Sequence, residues 1–236
     1  MPVARRRSGN PQFKGDPIMV TFSNDADILK YEPVLFGELH LPGQVLASGT
    51  GAALSGTMLT AADADFTSSG VSAGGVVHLR SADGALDGAY EIVSVDSATA
   101  LTISVVRSDT TGAPVAPPSG ENISYRISTF APQASEAAFR LTEHFGIHPG
   151  NPTSEIAVED IVDTEGLRRV STFAVISAAY ATWAAQTDGE SFWKKSRYYQ
   201  QLFEDARQRC HLSADLGSDA VADITRLGGA IRLVRD

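Results

Sequence analysis

The chain has 236 residues, enough for one ordinary domain and a smaller module, and 43% of them are hydrophobic, so a buried core can form. Its 28 acidic residues outnumber its 19 Lys and Arg, and the net charge of -9 argues against a protein that coats duplex DNA, which needs clustered cations. With a single cysteine and no stretch near the ~20 apolar residues of a membrane span, we expect a soluble intracellular protein that makes no membrane contact.

The N-terminal part of the chain combines a polar arm with a short helix. Residues 1–18 carry the run Arg5–Arg7, but no apolar segment follows it, so we predict a flexible arm rather than a signal peptide. Ser23 and Asn24 are candidate N-caps for a helix over Asp25–Tyr31. This helix ends before Pro33, because the residue preceding a proline disfavours the helical conformation.

The segment 38–130 has the pattern of a small all-β module. Apolar and polar residues alternate over Leu101–Val105 and again over Ile123–Ile127, which indicates strands with one buried face. Two further strands are predicted over Val76–Arg80 and Tyr90–Val95, which are rich in β-branched residues. Turn signals rich in Asp and Gly separate the strands and favour a small barrel or sandwich.

Two segments of this module are predicted as loops. Residues 108–122 contain three prolines and are too long for a simple hairpin, so we expect them to be disordered or to become ordered against a partner. The glycines of Gly49–Gly51 resemble a phosphate cradle, but no Lys-Ser or Lys-Thr pair follows them. We therefore interpret this second segment as a flexible loop.

From Gln133 onward the hydrophobic period becomes helical. An apolar stripe that ends at Phe145 predicts one helix, and Ile156–Val162 is typical of a short one. A longer helix is predicted over Leu167–Ala185, where small residues allow close packing against a neighbour. Glu190–His211 is the best-defined helix, because its apolar residues follow a regular spacing of four and three.

These segments predict an α+β chain in which a helical bundle carries an inserted all-β barrel or sandwich. The predicted boundaries are a flexible arm at 1–18, a helical domain formed by 19–37 together with 131–236, and the inserted β module at 38–130. Helical segments flank the β module on both sides, which is the reason for describing it as an insertion.

The last of the predicted helices has an apolar face and a basic outer surface. Phe192 and Tyr199 lie on the apolar face, whereas Lys194, Lys195 and Arg197 are expected to point towards water. Basic residues interleaved with aromatics are also typical of a nucleic-acid contact. We favour a solvated or protein-binding surface, because the helical spacing separates the aromatic residues from the cations.

Candidate catalytic and metal-binding residues do not converge. Cys210 falls on the predicted buried face of a helix, which favours an inert thiol. His144 and His148 have a zinc-like spacing, but a glycine interrupts the helix and no third ligand is evident. The aspartates of Asp215–Asp223 lack the spacing of an EF-hand and favour a turn or capping role. We therefore predict no catalytic, cofactor-binding or metal-binding residues, and a protein that is not an enzyme.

Several segments together resemble a known family. Leu167–Ser171, the Ala-rich helix after it and the stretch Trp193–Tyr199 resemble head–tail adaptor (connector) proteins of tailed bacteriophages. The segment Asp215–Asp223 and the tail Ile231–Arg235 resemble the C-terminal regions of the same adaptor proteins. The segment Phe66–Asp96 resembles small β modules of phage neck and tail proteins. The resemblance covers about two thirds of the chain.

The resemblance implies a structural virion protein of the phage neck, made in the host cytoplasm. Such proteins form a homo-oligomeric ring, usually of twelve copies, that joins the portal protein to the next neck or tail protein and lines the DNA exit channel. An acidic surface suits that channel, because like charge prevents packaged DNA from binding. The residues expected at a ring contact are Lys194, Arg197 and Tyr198, and those expected at a neighbour contact are Arg232, Leu233, Val234 and Arg235.

Two other classes of protein are compatible with the same features. One is a different virion assembly protein, a tail-tube or fibre-attachment component in which the β module is the main assembly unit. The other is a cytosolic enzyme whose site is assembled from distant residues, which would show a deep pocket with convergent polar groups.

Overall fold

A computed structural model describes residues 20–149, 151, 154–187, 189–217, 219 and 221–229. Within these residues the fold is α+β, with a closed six-stranded barrel, four α-helices and a three-stranded sheet. The elements in chain order are α1 (Asp25–Leu29), β1 (Val45–Ser55), β2 (Met58–Thr60), β3 (Val76–Arg80), β4 (Asp87–Ser97), β5 (Ala100–Ser104), β6 (Gly120–Ser128), α2 (Ala131–His144), β7 (Ile161–Val162), α3 (Glu165–Thr187), α4 (Glu190–Arg209), β8 (His211–Ala214) and β9 (Ile224–Leu227).

The barrel is antiparallel throughout, with the strand order β1-β2-β5-β4-β3-β6 and β6 pairing back to β1. The apolar residues of the alternating segments fill the interior of the barrel. Ile123, Tyr125 and Ile127 of β6 are buried, as are Leu101 and Ile103 of β5. The predicted strands are therefore confirmed, and the β segment is a barrel rather than a sandwich.

The prediction of a flexible loop at Gly49–Gly51 is wrong, because these residues lie within the long strand β1. Gly49 pairs with Tyr125 of β6, and a Cβ atom at this glycine would lie 2.7 Å from Cε1 of the tyrosine ring. Gly51 adopts a φ of +74° where the register between β1 and β6 shifts. Gly49 thus allows the ring of Tyr125 to approach the backbone, and Gly51 allows a bulge in β1. The spacing of the glycines in the sequence did not reveal either role.

The prediction for residues 108–122 is corrected as well. Val105 N donates to Val115 O (2.9 Å), so the two ends of the loop are hydrogen-bonded to each other. The guanidinium of Arg107 pairs with the buried carboxylate of Glu91 on β4 (2.7 Å) and donates to the carbonyls of Thr110 and Gly112. The loop is therefore ordered by contacts within the chain.

The helical part is centred on α3, most of whose residues from Leu167 to Ala184 are buried. Helix α1 begins at Asn24, whose side chain accepts a hydrogen bond from Asp27 N (3.0 Å), as its N-cap role predicts. Helices α3 and α4 approach closely at two serines: Ser177 Oγ donates to Ser196 O, and Ser196 Oγ donates to Ser177 O, both at 3.0 Å. The small residues of α3 permit this approach.

The predicted helix at 156–162 is wrong. A short 3-10 turn (Val158–Asp160) leads into β7, which belongs to the small sheet β7-β8-β9. Ile161 and Val162 pair with β8, which follows α4 directly, so a partner distant in sequence decides their conformation. The coarse prediction of an α+β chain with a small barrel is confirmed. The helical bundle is not confirmed and stays a prediction, as do the domain boundaries.

Candidate functional site

The exposed side of α2, α3 and α4 includes three of the residues that the sequence singles out, Lys194, Arg197 and Tyr198 of α4. Helix α4 turns Ser196, Tyr199 and Phe203 into the core, as its spacing predicts. The opposite side of the helix is left to solvent, with Trp193 42% and Tyr198 58% exposed. Exposed large aromatics are enriched at protein interfaces, so this side is the candidate functional surface.

A groove of about 460 Å³ runs along this surface between the three helices. Its floor is formed by small residues of α3, and Trp193 and two arginines stand around it. Its lining contains no carboxylate among the described residues, so the groove is both partly apolar and basic. We call it the basic groove, and its lining is Arg140, Ala174, Ser177, Ala178, Ala181, Trp193, Ser196, Arg197 and Gln200.

Aromatic rings of the core contact one arginine of the groove, Arg140, and two arginines of the same helices that are not among its lining residues, Arg169 and Arg207. The Cζ atoms of Arg140 and Arg207 lie 5.5 and 5.3 Å from the ring centroid of Phe203, and that of Arg169 lies 5.4 Å from the centroid of Phe173. Such cation–π contacts orient a guanidinium and leave its N–H groups free to donate. Among the described residues, neither these three arginines nor Arg197 forms a salt bridge.

The predicted ring-contact residues are only partly brought together. Arg197 lines the basic groove. Lys194 lies on the same helix outside the groove, exposed and paired with Glu190 at 2.9 Å, and Tyr198 packs edge-on against Tyr199. The other predicted contact residues, Arg232, Leu233, Val234 and Arg235, lie outside the described residues, as does the arm at 1–18.

Lys195 is exposed, as predicted, with its side chain 48% accessible, but it also pairs with a buried carboxylate that the sequence did not reveal. Its Nζ donates to both carboxylate oxygens of Glu32, at 2.9 and 2.8 Å. The hydroxyls of Tyr180 and Tyr199 donate to the same carboxylate at 2.6 and 2.8 Å. Glu32 therefore joins the segment after α1 to both long helices. Periodicity could not find this cluster, because it joins residues 163 positions apart.

Burial and hydrogen bonding act in opposite directions on Glu32. Burial raises its pKa, but hydrogen bonds from Lys195, Tyr180 and Tyr199 outweigh burial and lower the pKa below the ordinary range. Burial, and then the bond to Glu32, raise the pKa of both tyrosines. The cluster is a fully hydrogen-bonded structural link, with an ionised carboxylate and neutral phenols.

Two smaller cavities lie where the barrel meets the helical part. One, of about 340 Å³, contains Asp25, which accepts a hydrogen bond from Phe130 N at 2.7 Å. Burial raises the pKa of Asp25 to about 6. The other, of about 350 Å³, contains His78, with Nε2 3.3 Å from Asp87, and Arg126, which donates to Phe36 O and Gly37 O. The bonds of Asp25 and Arg126 join segments on either side of this boundary, whereas His78 and Asp87 both belong to the barrel.

The residues considered for metal binding and catalysis have other contacts. His144 Nε2 bonds to Gly228 O (2.8 Å), and Asp223 accepts the N–H groups of Leu216 and Gly217 in a turn. Cys210 is buried, which raises the pKa of its thiol. In the described parts of the chain, no three His, Cys, Asp or Glu residues are grouped so as to hold a metal ion.

None of the described helices has both the length and the apolar character needed to cross a membrane. Comparisons with protein-family models, curated proteins and solved structures give no match to this chain.

Proposed function

We propose that the chain is a structural assembly protein, a subunit of a ring in the neck of a tailed phage that joins the portal protein to the tail. The observation that carries the proposal is the basic groove, where exposed aromatics and unpaired arginines gather on an otherwise acidic chain. A surface of this kind binds a macromolecule better than a small substrate, because it is open and its polar groups do not converge.

The resemblance of the sequence to head–tail adaptors suggests which assembly the chain belongs to, namely the ring beneath the portal. In this proposal α2, α3 and α4 form the helical bundle that docks beneath the portal, with Arg197, Lys194 and Tyr198 near the ring contact. The C-terminal tail, including Leu233 and Val234, contacts a neighbour by strand addition or groove docking. The acidic remainder of the surface faces the DNA channel, where repulsion lets DNA pass without binding.

A different virion role is favoured by one observation on the barrel. Val105, Val106 and Val115 are 41%, 36% and 57% exposed on a loop that the Arg107–Glu91 pair holds in place. An ordered apolar patch of this kind is typical of an assembly contact. If the barrel is the main assembly unit, the chain is a tail-tube or fibre-attachment component rather than a neck ring.

Quantitative mass spectrometry of purified phage particles from the source tests both proposals. We expect a copy number equal to that of the portal protein, which supports the neck ring. A copy number of six, or one of many, assigns the chain to the tail or its fibres. Complete absence from particles contradicts a virion role and reopens the search for an enzyme.

Deletion of the last five residues tests the role of the tail. We expect the truncated protein to fold, as judged by its circular dichroism spectrum and melting temperature, but to block assembly into particles. A normal particle yield from the truncated chain contradicts a neighbour contact through the tail.

A further inference from the structure

The barrel of this chain is acidic and differs in charge from the basic groove. The barrel segment 45–128 contains eight acidic residues and three arginines. Arg107 is half-buried against Glu91, and Arg126 is half-buried against backbone carbonyls, so Arg80 is the exposed cation of the described barrel. The barrel surface is therefore strongly acidic, in contrast to the basic groove.

Two of the barrel carboxylates lie together at the end away from the helices. Strand β6 begins at Gly120 and runs towards α2, so Glu121 lies at the opposite end of the strand from that helix. Asp83 lies in the turn between β3 and β4, at the same end, since Arg80 pairs with Ser124. Asp83 and Glu121 line one depression of about 230 Å³. We call this pair the acidic tip.

Both residues of the acidic tip are exposed. Asp83 accepts hydrogen bonds from Ser81 Oγ (2.5 Å) and Ala85 N (3.0 Å), which lower its pKa. Neither Asp83 nor Glu121 forms a salt bridge within the part of the chain that the structure describes. The tip thus presents two carboxylates without a cationic partner, one at a strand end and one in a turn.

We propose that the acidic tip of one copy docks into the basic groove of a second copy, with the carboxylates of Asp83 and Glu121 meeting the guanidinium groups of Arg140 and Arg197. The two surfaces are opposite in charge and lie on different parts of the chain. Contact between two different surfaces is head-to-tail, and repetition of such a contact closes into a ring or extends into a filament. This inference rests on the proposed function and names the contact between neighbouring subunits.

Charge reversal on either surface tests the contact in the full-length protein. We expect the wild type to self-associate in sedimentation velocity at about 50 mM salt and less at about 300 mM, because salt screens exposed charges. Arg197→Glu and Glu121→Lys should each weaken association by at least about tenfold, since each places like charges in contact. The matched reversals Arg209→Glu and Asp63→Lys lie outside both surfaces and should leave it unchanged.

A mixture of the two reversed variants gives the sharpest result. In an equal mixture of the two single variants, the acidic groove of Arg197→Glu can meet the basic tip of Glu121→Lys. We therefore expect the mixture to associate more strongly than either variant alone. Circular dichroism melts check that each variant is folded. Failure of the mixture to associate, although both variants are folded, overturns the proposal.

Two other outcomes also overturn it. A wild type that stays monomeric up to about 100 µM at low salt has no such contact of useful strength. If Arg197→Glu instead weakens the binding of a labelled DNA duplex, the basic groove is a nucleic-acid site. Neither result bears on the copy number in particles, which tests the proposed function independently. The proposed function can therefore stand even when this contact is disproved.

Discussion

Lys195 Nζ on α4 lies 2.8 Å from Oε2 of Glu32, a residue near the other end of the chain. Its neighbour Lys194, one position earlier on the same helix, pairs with Glu190 one turn away on the exposed surface. The two lysines look alike in the sequence, yet Glu32 is only 8% exposed and binds two tyrosines as well. Lys195 therefore stabilises the fold, whereas Lys194 forms only an exposed ion pair at the surface.

Glu32→Ala should lower the free energy of unfolding by about 3 kcal/mol, because it leaves Lys195 and two phenols without their acceptor. Urea denaturation at pH 7 measures the effect. The matched change Glu190→Ala removes the exposed partner of Lys194 and should cost less than about 1 kcal/mol, since exposed ion pairs contribute little. Equal losses for the two variants would contradict a structural role for Glu32.

Asp25→Asn should make the protein less sensitive to pH. Burial raises the pKa of Asp25 from 3.8 to about 6, so between these values the folded protein binds more protons than the unfolded chain. Stability therefore falls as pH rises through this window, by about 3 kcal/mol in total. Asparagine keeps an oxygen to accept from Phe130 N but cannot ionise.

Urea denaturation at pH 4 and pH 7 of the wild type and of Asp25→Asn measures this difference. We expect the variant to gain stability relative to the wild type as the pH rises, because only the wild type must ionise a buried carboxyl. The exposed change Asp63→Asn should show no such trend. A constant difference between Asp25→Asn and the wild type at the two pH values would rule out the raised pKa.

Arg107→Met should release the loop between β5 and β6. The substitution keeps the aliphatic stem but removes the donors to Glu91, Thr110 and Gly112, and it leaves a buried carboxylate unpaired. We expect a loss of about 2 kcal/mol and faster amide hydrogen exchange over residues 105–115. Arg80→Met, which removes an exposed pair with Asp87, is the control. Unchanged exchange in the loop would show that Arg107 does not order it.

Gly49→Ala should destabilise the barrel by about 1–3 kcal/mol, because the added Cβ would lie within 2.9 Å of three atoms of Tyr125. The tyrosine cannot move freely, since its ring packs edge-on against Phe66 at 5.7 Å. Gly43→Ala, where a Cβ meets nothing within 4 Å, should change the melting temperature little. A variant at Gly49 as stable as the one at Gly43 would contradict the close approach.

The amino-acid pattern by itself determined those features that depend on neighbours in the chain. The strand at Val76–Arg80 was predicted from its β-branched residues, and the strand at Ile123–Ile127 from alternation, because side chains point to opposite faces with a period of two. The buried face of α4 followed from its helical spacing. Exposure of Lys194 and Arg197 was predicted on the same basis, since they lie away from that face.

Only the tertiary structure decided which residues meet across long separations. Gly49 lies in a strand because it pairs with Tyr125, and the loop after β5 is ordered because Arg107 reaches Glu91. Periodicity gives no partner for either contact. Periodicity likewise gives no partner for Lys195, because Glu32 lies 163 positions away in the sequence. Arg140 and Arg197 line one groove only because their helices pack together.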